Sequence, residues 1–136
     1  MMQTLNYIPL FALFLIAYWV MHLLGIPHDR LYYVAAHVQL PSGVVWKPTW
    51  GDIMILLGIV ALYVELFKAT RTSAIAIIDH TLSTFVLIGF LTSWLVFEWA
   101  GNSVFLILTF MAFLDVIAGF TITISTARRD LAMGGH

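Results

Sequence analysis

The sequence predicts an all-α integral membrane protein, a four-helix transmembrane bundle with up-down-up-down topology. Composition is the first observation behind this prediction: 62% of the 136 residues are hydrophobic and 10% are charged, whereas soluble domains are nearer half apolar and a quarter charged. The second is a set of four apolar runs close to the length, about 20 residues, that crosses a hydrocarbon core. The third is a bias of basic residues toward one side of that topology.

The four apolar runs cover residues 7–24, 50–67, 74–97 and 103–125. We predict helices rather than strands because a segment inside a bilayer must satisfy its own backbone hydrogen bonds. The first run has no basic segment before it and no small-residue cleavage site after it, so we expect a retained span rather than a signal peptide. Since no internal repeat or domain boundary is evident, residues 1–136 are predicted to form a single transmembrane domain.

Two short stretches predict where helices begin and end. Thr49 stands three residues before Asp52, which is the spacing of a capping box at the start of the second span. Gly101 and Asn102 lie between the third and fourth spans, where glycine can end one helix and asparagine can cap the next. So short a link makes these two helices antiparallel neighbours.

The distribution of basic residues predicts the orientation in the membrane. The positive-inside rule assigns the more basic side to the cytoplasm. Both termini are then cytoplasmic, and the loop of residues 25–49 faces outward. From the small size and compact loops we expect a bacterial inner membrane. The cytoplasmic side carries four of the six basic residues: Lys68, Arg71, Arg128 and Arg129.

The outer loop, residues 25–49, has two alternative predictions. The first is a short interfacial helix after a cap at Asp29, with an apolar face at helical spacing. That face would comprise Leu31, Val34, Ala35 and Val38. The second is a small β-hairpin, because "VAAHVQL" and "VVWK" flank "PSG", a plausible reverse turn.

Small residues recur at helical spacing on the second and fourth spans. Small side chains let another helix approach closely, and threonine can hydrogen-bond across such a contact. We therefore predict helix-packing faces that serve the bundle itself or join the chain to a neighbour, as a homo-oligomer or in a larger membrane complex. These faces comprise Gly51, Gly58 and Ala61 on the second span and Ala112, Gly119 and Thr123 on the fourth.

An intramembrane polar cluster is predicted on the cytoplasmic side. Asp115 lies near the middle of the fourth span, where an ionised carboxylate costs about 2.5 to 3.5 kcal/mol, so it should face protein or water. Glu65, Asp79 and His80 can reach similar depths if the helices pack together. Such groups often mark proton or cation paths. The alternative is structural, with Asp115 held neutral or paired with His80.

Other function classes find little support in the sequence. The chain has no cysteine and a net charge of −1, which excludes thiolate chemistry and offers no basic surface for nucleic acid. No cofactor is predicted, because His22 and His80 lie near opposite ends of their spans and cannot share one haem iron. His22, His28 and His37 share the outer side but match no metal-ligand motif, so no metal site is assigned. No catalytic motif is present, and we expect no enzyme.

Two functional hypotheses follow from these observations. The first is a non-catalytic subunit or scaffold of a membrane assembly, which acts through its helix faces and its outer loop. The alternative is a small proton- or cation-coupled transporter or channel that uses the cluster around Asp115 and His80. In both, the lipid bilayer is the solvent of the apolar faces.

Overall fold

Four α-helices make up most of the chain in the computed structural model, which describes residues 7–71 and 74–134. They are α1 (Leu10–Leu23), α2 (Trp50–Ala69), α3 (Ala74–Val96) and α4 (Ser103–Gly134). Three of them, α2, α3 and α4, are long and apolar enough to cross a membrane. The prediction of an all-helical chain is confirmed, and the three long helices are consistent with a membrane protein.

Helix α1 is shorter than the apolar run at residues 7–24 that predicts it. Pro9 occupies the N-cap position, and the helix has 14 residues, or roughly 21 Å at 1.5 Å per residue. At the other end Gly25 has φ 67°, and the Ile26 N–H donates to the Met21 carbonyl at 2.9 Å. This left-handed ending stops the helix at Leu23, within one residue of the predicted end. By length alone, α1 does not qualify as a span.

The predicted caps are present at the starts of α2 and α4. The Asp52 N–H donates to Thr49 Oγ1 at 3.2 Å, and the Thr49 N–H donates to Asp52 Oδ2 at 2.8 Å. The capping box is therefore confirmed. The Asn102 side chain accepts from the Phe105 N–H at 2.9 Å, so Asn102 caps α4 as predicted. A 3₁₀ helix at Glu98–Ala100 joins α3 to α4.

The outer loop contains a hairpin, as one of its two alternative predictions proposed. Strands β1 (Val38–Gln39) and β2 (Val45–Trp46) pair antiparallel. Gly43 has φ 87° and completes the turn after "PS", a position where only glycine avoids strain. The interfacial helix is wrong as placed, because the helical turn of this loop is a 3₁₀ helix at His28–Tyr32, which includes only Leu31 of the predicted face.

Helix α4 packs closely against both α2 and α3, and α1 packs more lightly against the same two helices. Thus α1 and α4 each lie in a groove formed by α2 and α3. The fourth apolar run ends at residue 125, but the helix continues to Gly134. Large side chains with almost no exposure fill the centre: Phe11, Tyr18, Phe90, Phe105 and Leu108.

Candidate functional site

The predicted small-residue face of α2 packs on α4 rather than remaining open for a neighbour. A Cβ atom added at Gly58 would lie 2.8 Å from Leu108 Cδ2 and 2.9 Å from Met111 Sδ. One added at Gly51 would lie 2.8 Å from Val104 Cγ2. Ala61 is buried on the same face. At both positions the absence of a side chain lets α4 side chains pack directly on the α2 backbone.

The corresponding face of α4 is buried over most of its length. Ala112, Asp115 and Gly119 are buried, and Thr123 is half-buried. The Thr123 hydroxyl donates to the Gly119 carbonyl of its own helix at 2.9 Å. Threonine was expected to hydrogen-bond across the helix contact, but Thr123 bonds within its own helix instead.

Glu65, Lys68 and Asp79 form an ion-pair network at one end of the bundle, which we call the Lys68 end. Lys68 Nζ lies 3.1 Å from Glu65 Oε1 and 3.2 Å from Asp79 Oδ1. Glu65 is 1% exposed and Asp79 is 2% exposed. The network therefore joins α2 to α3 and buries both carboxylates.

The same network holds the start of α1. The Leu10 N–H donates to Glu65 Oε1 at 2.8 Å, and Lys68 Nζ donates to the Ile8 carbonyl at 3.2 Å. The first N–H groups of a helix have no partner inside the helix, and a carboxylate is favoured at this positive end of the dipole. Glu65 therefore caps a helix that is distant in sequence, which sequence spacing could not show.

Three further polar side chains lie buried between α3 and α4, and we call them the polar triad: His80, Ser83 and Asp115. Their exposed fractions are 2%, 3% and 2%. Both ring nitrogens of His80, the Ser83 hydroxyl and Asp115 Oδ1 have no hydrogen-bond partner within residues 7–71 and 74–134. The Ser83 hydroxyl lies beside the Asp115 carboxyl without meeting hydrogen-bond geometry.

Gly119 allows α3 and α4 to approach each other closely at the triad. It lies one helical turn after Asp115, and a Cβ at this position would stand 2.6 Å from His80 Cε1 and 2.7 Å from His80 Nδ1. The imidazole thus rests on the backbone of α4. Asp79 precedes His80 in sequence but lies about 100° around the helix, so Asp79 reaches Lys68 while His80 reaches α4. The predicted cluster of Glu65, Asp79, His80 and Asp115 is therefore buried as two adjacent groups.

An aromatic cluster that sequence reasoning missed occupies the opposite end of the bundle, which we call the Trp99 end. The Trp99 ring stacks on His22 and on His28, with centroids 5.1 Å and 5.0 Å away. Tyr18 stacks on His28 at 5.8 Å. The four residues come from α1, the outer loop and the α3–α4 link, so no local pattern marks them.

The geometry of this cluster does not favour a metal site. The rings of His22 and His28 are 6.1 Å apart at an interplanar angle of 30°, so their in-plane lone pairs do not converge on one point. His37, the third weak candidate, lies exposed beside β1. In the described part of the chain, no group of three or more His, Asp or Glu side chains could hold a metal ion.

The aromatic cluster should loosen in acid. Burial, and to a smaller extent His22, lowers the pKa of the His28 ring below its ordinary value of 6.5, so folding favours the neutral form. The stability contributed by this packing is fully present above about pH 6.5 and is lost as the pH falls through the lower folded-state pKa. Tryptophan fluorescence against pH measures it. His28→Phe should reduce the pH-dependent change in fluorescence, whereas His37→Phe, at an exposed site, should leave it unaltered. Equal pH-dependent changes in the two variants would contradict the assignment of this transition to His28.

Comparison with protein-family models, with curated proteins and with solved structures finds no match to this chain.

Proposed function

We propose that the chain crosses the membrane four times, up-down-up-down, with both termini in the cytoplasm of a bacterium and the hairpin outside. The position of α1 supports the proposal that it is the fourth membrane-crossing helix. It begins at the Lys68 end, where its first N–H meets Glu65, and it ends at the Trp99 end, where His22 stacks on Trp99. Helix α1 therefore runs between the two ends of the bundle, although it is shorter than its neighbours. Lys68 and Arg71 on one side support the orientation.

In that topology the protein acts as a non-catalytic subunit or scaffold of a membrane assembly. The observation that carries this proposal is the outer hairpin. Its apolar side chains Val38, Leu40, Val44, Val45 and Trp46 are between 38% and 59% exposed. An isolated two-stranded hairpin is marginal in water, and its outer edges can pair with a further chain. A neighbouring polypeptide that covers these side chains accounts for a hairpin of this composition.

A single engineered cysteine tests the hairpin, because the chain has no cysteine of its own. We expect Val44→Cys to react slowly with a membrane-impermeant maleimide in native membranes, where the partner covers it, and quickly after purification into liposomes. Gln39→Cys and Tyr63→Cys serve as comparison sites on β1 and on the exposed side of α2. Equal rates at position 44 in both settings would contradict a protein partner, and slow labelling in both would indicate lipid instead.

A second candidate function is the handling of protons or cations by the cluster around Asp115 and His80. The observation that favours it is the polar triad, whose buried polar atoms lack partners among the described residues. Leaving such groups unsatisfied costs about 1 to 3 kcal/mol each, so a polar ligand is expected there. The ion-pair network at the Lys68 end lies next to the triad, and it offers a polar connection toward the cytoplasm.

Asp115→Asn is the variant that tests this second function. Asparagine keeps the size of the side chain but cannot titrate, so the protein should assemble normally and lose ion flux. Flux is measured in liposomes that contain a pH-sensitive dye, with protein-free liposomes as the baseline. Glu98→Gln, which removes a carboxylate at the exposed Trp99 end, is the matched control. Flux that persists in Asp115→Asn would rule out transport through the triad.

A further inference from the structure

We infer that the polar triad of His80, Ser83 and Asp115 is a binding site for one proton, shared between the Asp115 carboxyl and the His80 imidazole, and not a site for a metal cation. This deepens the second proposed function by naming the ion. Three observations carry the inference: the types of ligand atom in the triad, the charge of the groups packed around it, and the close contact that holds its two helices together.

The ligand atoms of the triad do not suit a metal ion. Hard cations such as Ca²⁺ and Mg²⁺ take six or more oxygen ligands, whereas the triad supplies two carboxylate oxygens, one hydroxyl and an imidazole. The backbone carbonyls of α3 and α4 are engaged in their own helices. Nitrogen-seeking transition metals need several convergent side chains, and the described residues hold no group of three or more that could bind one.

A proton suits the same atoms. A neutral imidazole carries one donor and one acceptor nitrogen, a carboxyl group becomes a donor when it is protonated, and a hydroxyl can do both. These groups make no direct hydrogen bond to one another in the described structure, so one proton can be shared between them through a single water molecule, which needs two to four polar partners. Ser83 is one turn of α3 from His80, and its hydroxyl lies beside the Asp115 carboxyl. A hydroxyl at this position can act as donor or acceptor for the carboxyl, whichever partner carries the proton.

The charge balance of the buried end favours a proton on the triad. Glu65, Lys68 and Asp79 together contribute one net negative charge if all three are ionised, since two carboxylates share a single ammonium group. An ionised Asp115 beside a neutral His80 would bring the buried total to two negative charges without a second cation. One proton on the triad removes that excess, and buried charge without a partner is strongly disfavoured. The charged groups that interact electrostatically with Asp115 are Glu65, Asp79 and Lys68.

The contact at Gly119 makes the site rigid enough to share a proton. The His80 ring lies on the backbone of α4 one turn from Asp115, and it also meets Phe120 with ring centroids 5.6 Å apart. The imidazole is therefore held between apolar surfaces. The contact therefore restricts movement of the His80 ring relative to α4, the helix that carries Asp115.

The test uses the full chain in phosphatidylcholine and phosphatidylglycerol liposomes, with the proton itself as the probe. Nitrogen-15 NMR reports the protonation of His80, and the infrared carboxyl band reports Asp115, from about pH 4 to about pH 9. We expect the two signals to change together in one coupled transition. In His80→Gln the Asp115 transition should move, and in Ser83→Ala it should persist. The wild-type spectra need no substitution, so a variant that fails to fold does not remove the test.

The outcomes separate this inference from the transport proposal. Sodium, calcium or zinc chloride added at constant pH should leave both signals unchanged, and a saturable change would overturn the inference in favour of a metal cation. Signals that stay constant throughout, or that change independently, would also overturn it. A coupled transition without flux would retain the proton site and reject transport. Flux that persists in Asp115→Asn would reject transport through the triad without affecting the spectroscopic result.

Discussion

Lys68→Met should lower the free energy of unfolding by about 3 to 5 kcal/mol, the usual cost of removing one partner from a buried ion pair. Lys68 is the cation paired with both Glu65 and Asp79, which are 1% and 2% exposed. Its loss leaves two carboxylates buried without a countercharge. It also frees the Ile8 carbonyl, so α1 should detach from the Lys68 end before the other helices separate.

Reversible unfolding in bicelles, followed by circular dichroism, measures this loss. Lys47→Met removes a lysine from the exposed outer loop and should leave the free energy of unfolding nearly unchanged. The triple variant Glu65→Gln, Lys68→Met, Asp79→Asn removes all three charges and should recover much of the stability, because no buried charge remains without a partner. If Lys68→Met unfolds as the wild type does, the two carboxylates are not ionised in the folded protein.

Gly119→Ala should destabilise the protein by about 1 to 3 kcal/mol, the usual effect of adding a methyl group to a filled core. The added Cβ would stand 2.6 Å from the buried His80 ring, and a rigid ring cannot move aside as a flexible side chain can. The cost should exceed the roughly 1 kcal/mol that alanine gains over glycine inside a helix. The same change should disturb the polar triad, because α3 and α4 must separate to admit the methyl group.

Two other glycines provide a graded control in the same unfolding assay. At Gly89 the added Cβ meets only the end of the flexible Leu15 side chain, at 2.8 Å, and at Gly134 it meets nothing within 4 Å. Gly89→Ala should therefore cost little, and Gly134→Ala should be neutral or slightly stabilising. Equal effects at all three positions would show that helix propensity, and not the contact with His80, determines the outcome at Gly119.

Local patterns predicted the elements of this fold well. The apolar runs located all four helices, and the Thr49–Asp52 spacing and Asn102 located two helix starts, because caps depend on residues three positions apart. The "PSG" turn indicated the hairpin. The patterns were less accurate at the start of α1, which begins at Leu10 although the apolar run begins at residue 7. They also did not show that α4 continues as a helix past residue 125 into polar sequence.

By itself, the sequence determined which residues need to be buried. A chain this apolar has few ionisable groups, and each one on a long apolar helix must face protein, so Glu65, Asp79, His80 and Asp115 could be named in advance. Tertiary structure alone decided their partners. Asp79 and His80 are neighbours in sequence, yet one joins Lys68 and the other rests on Gly119. The physical reason is that partner choice depends on helix rotation and on which helices occupy each groove, and neither quantity is local in the chain.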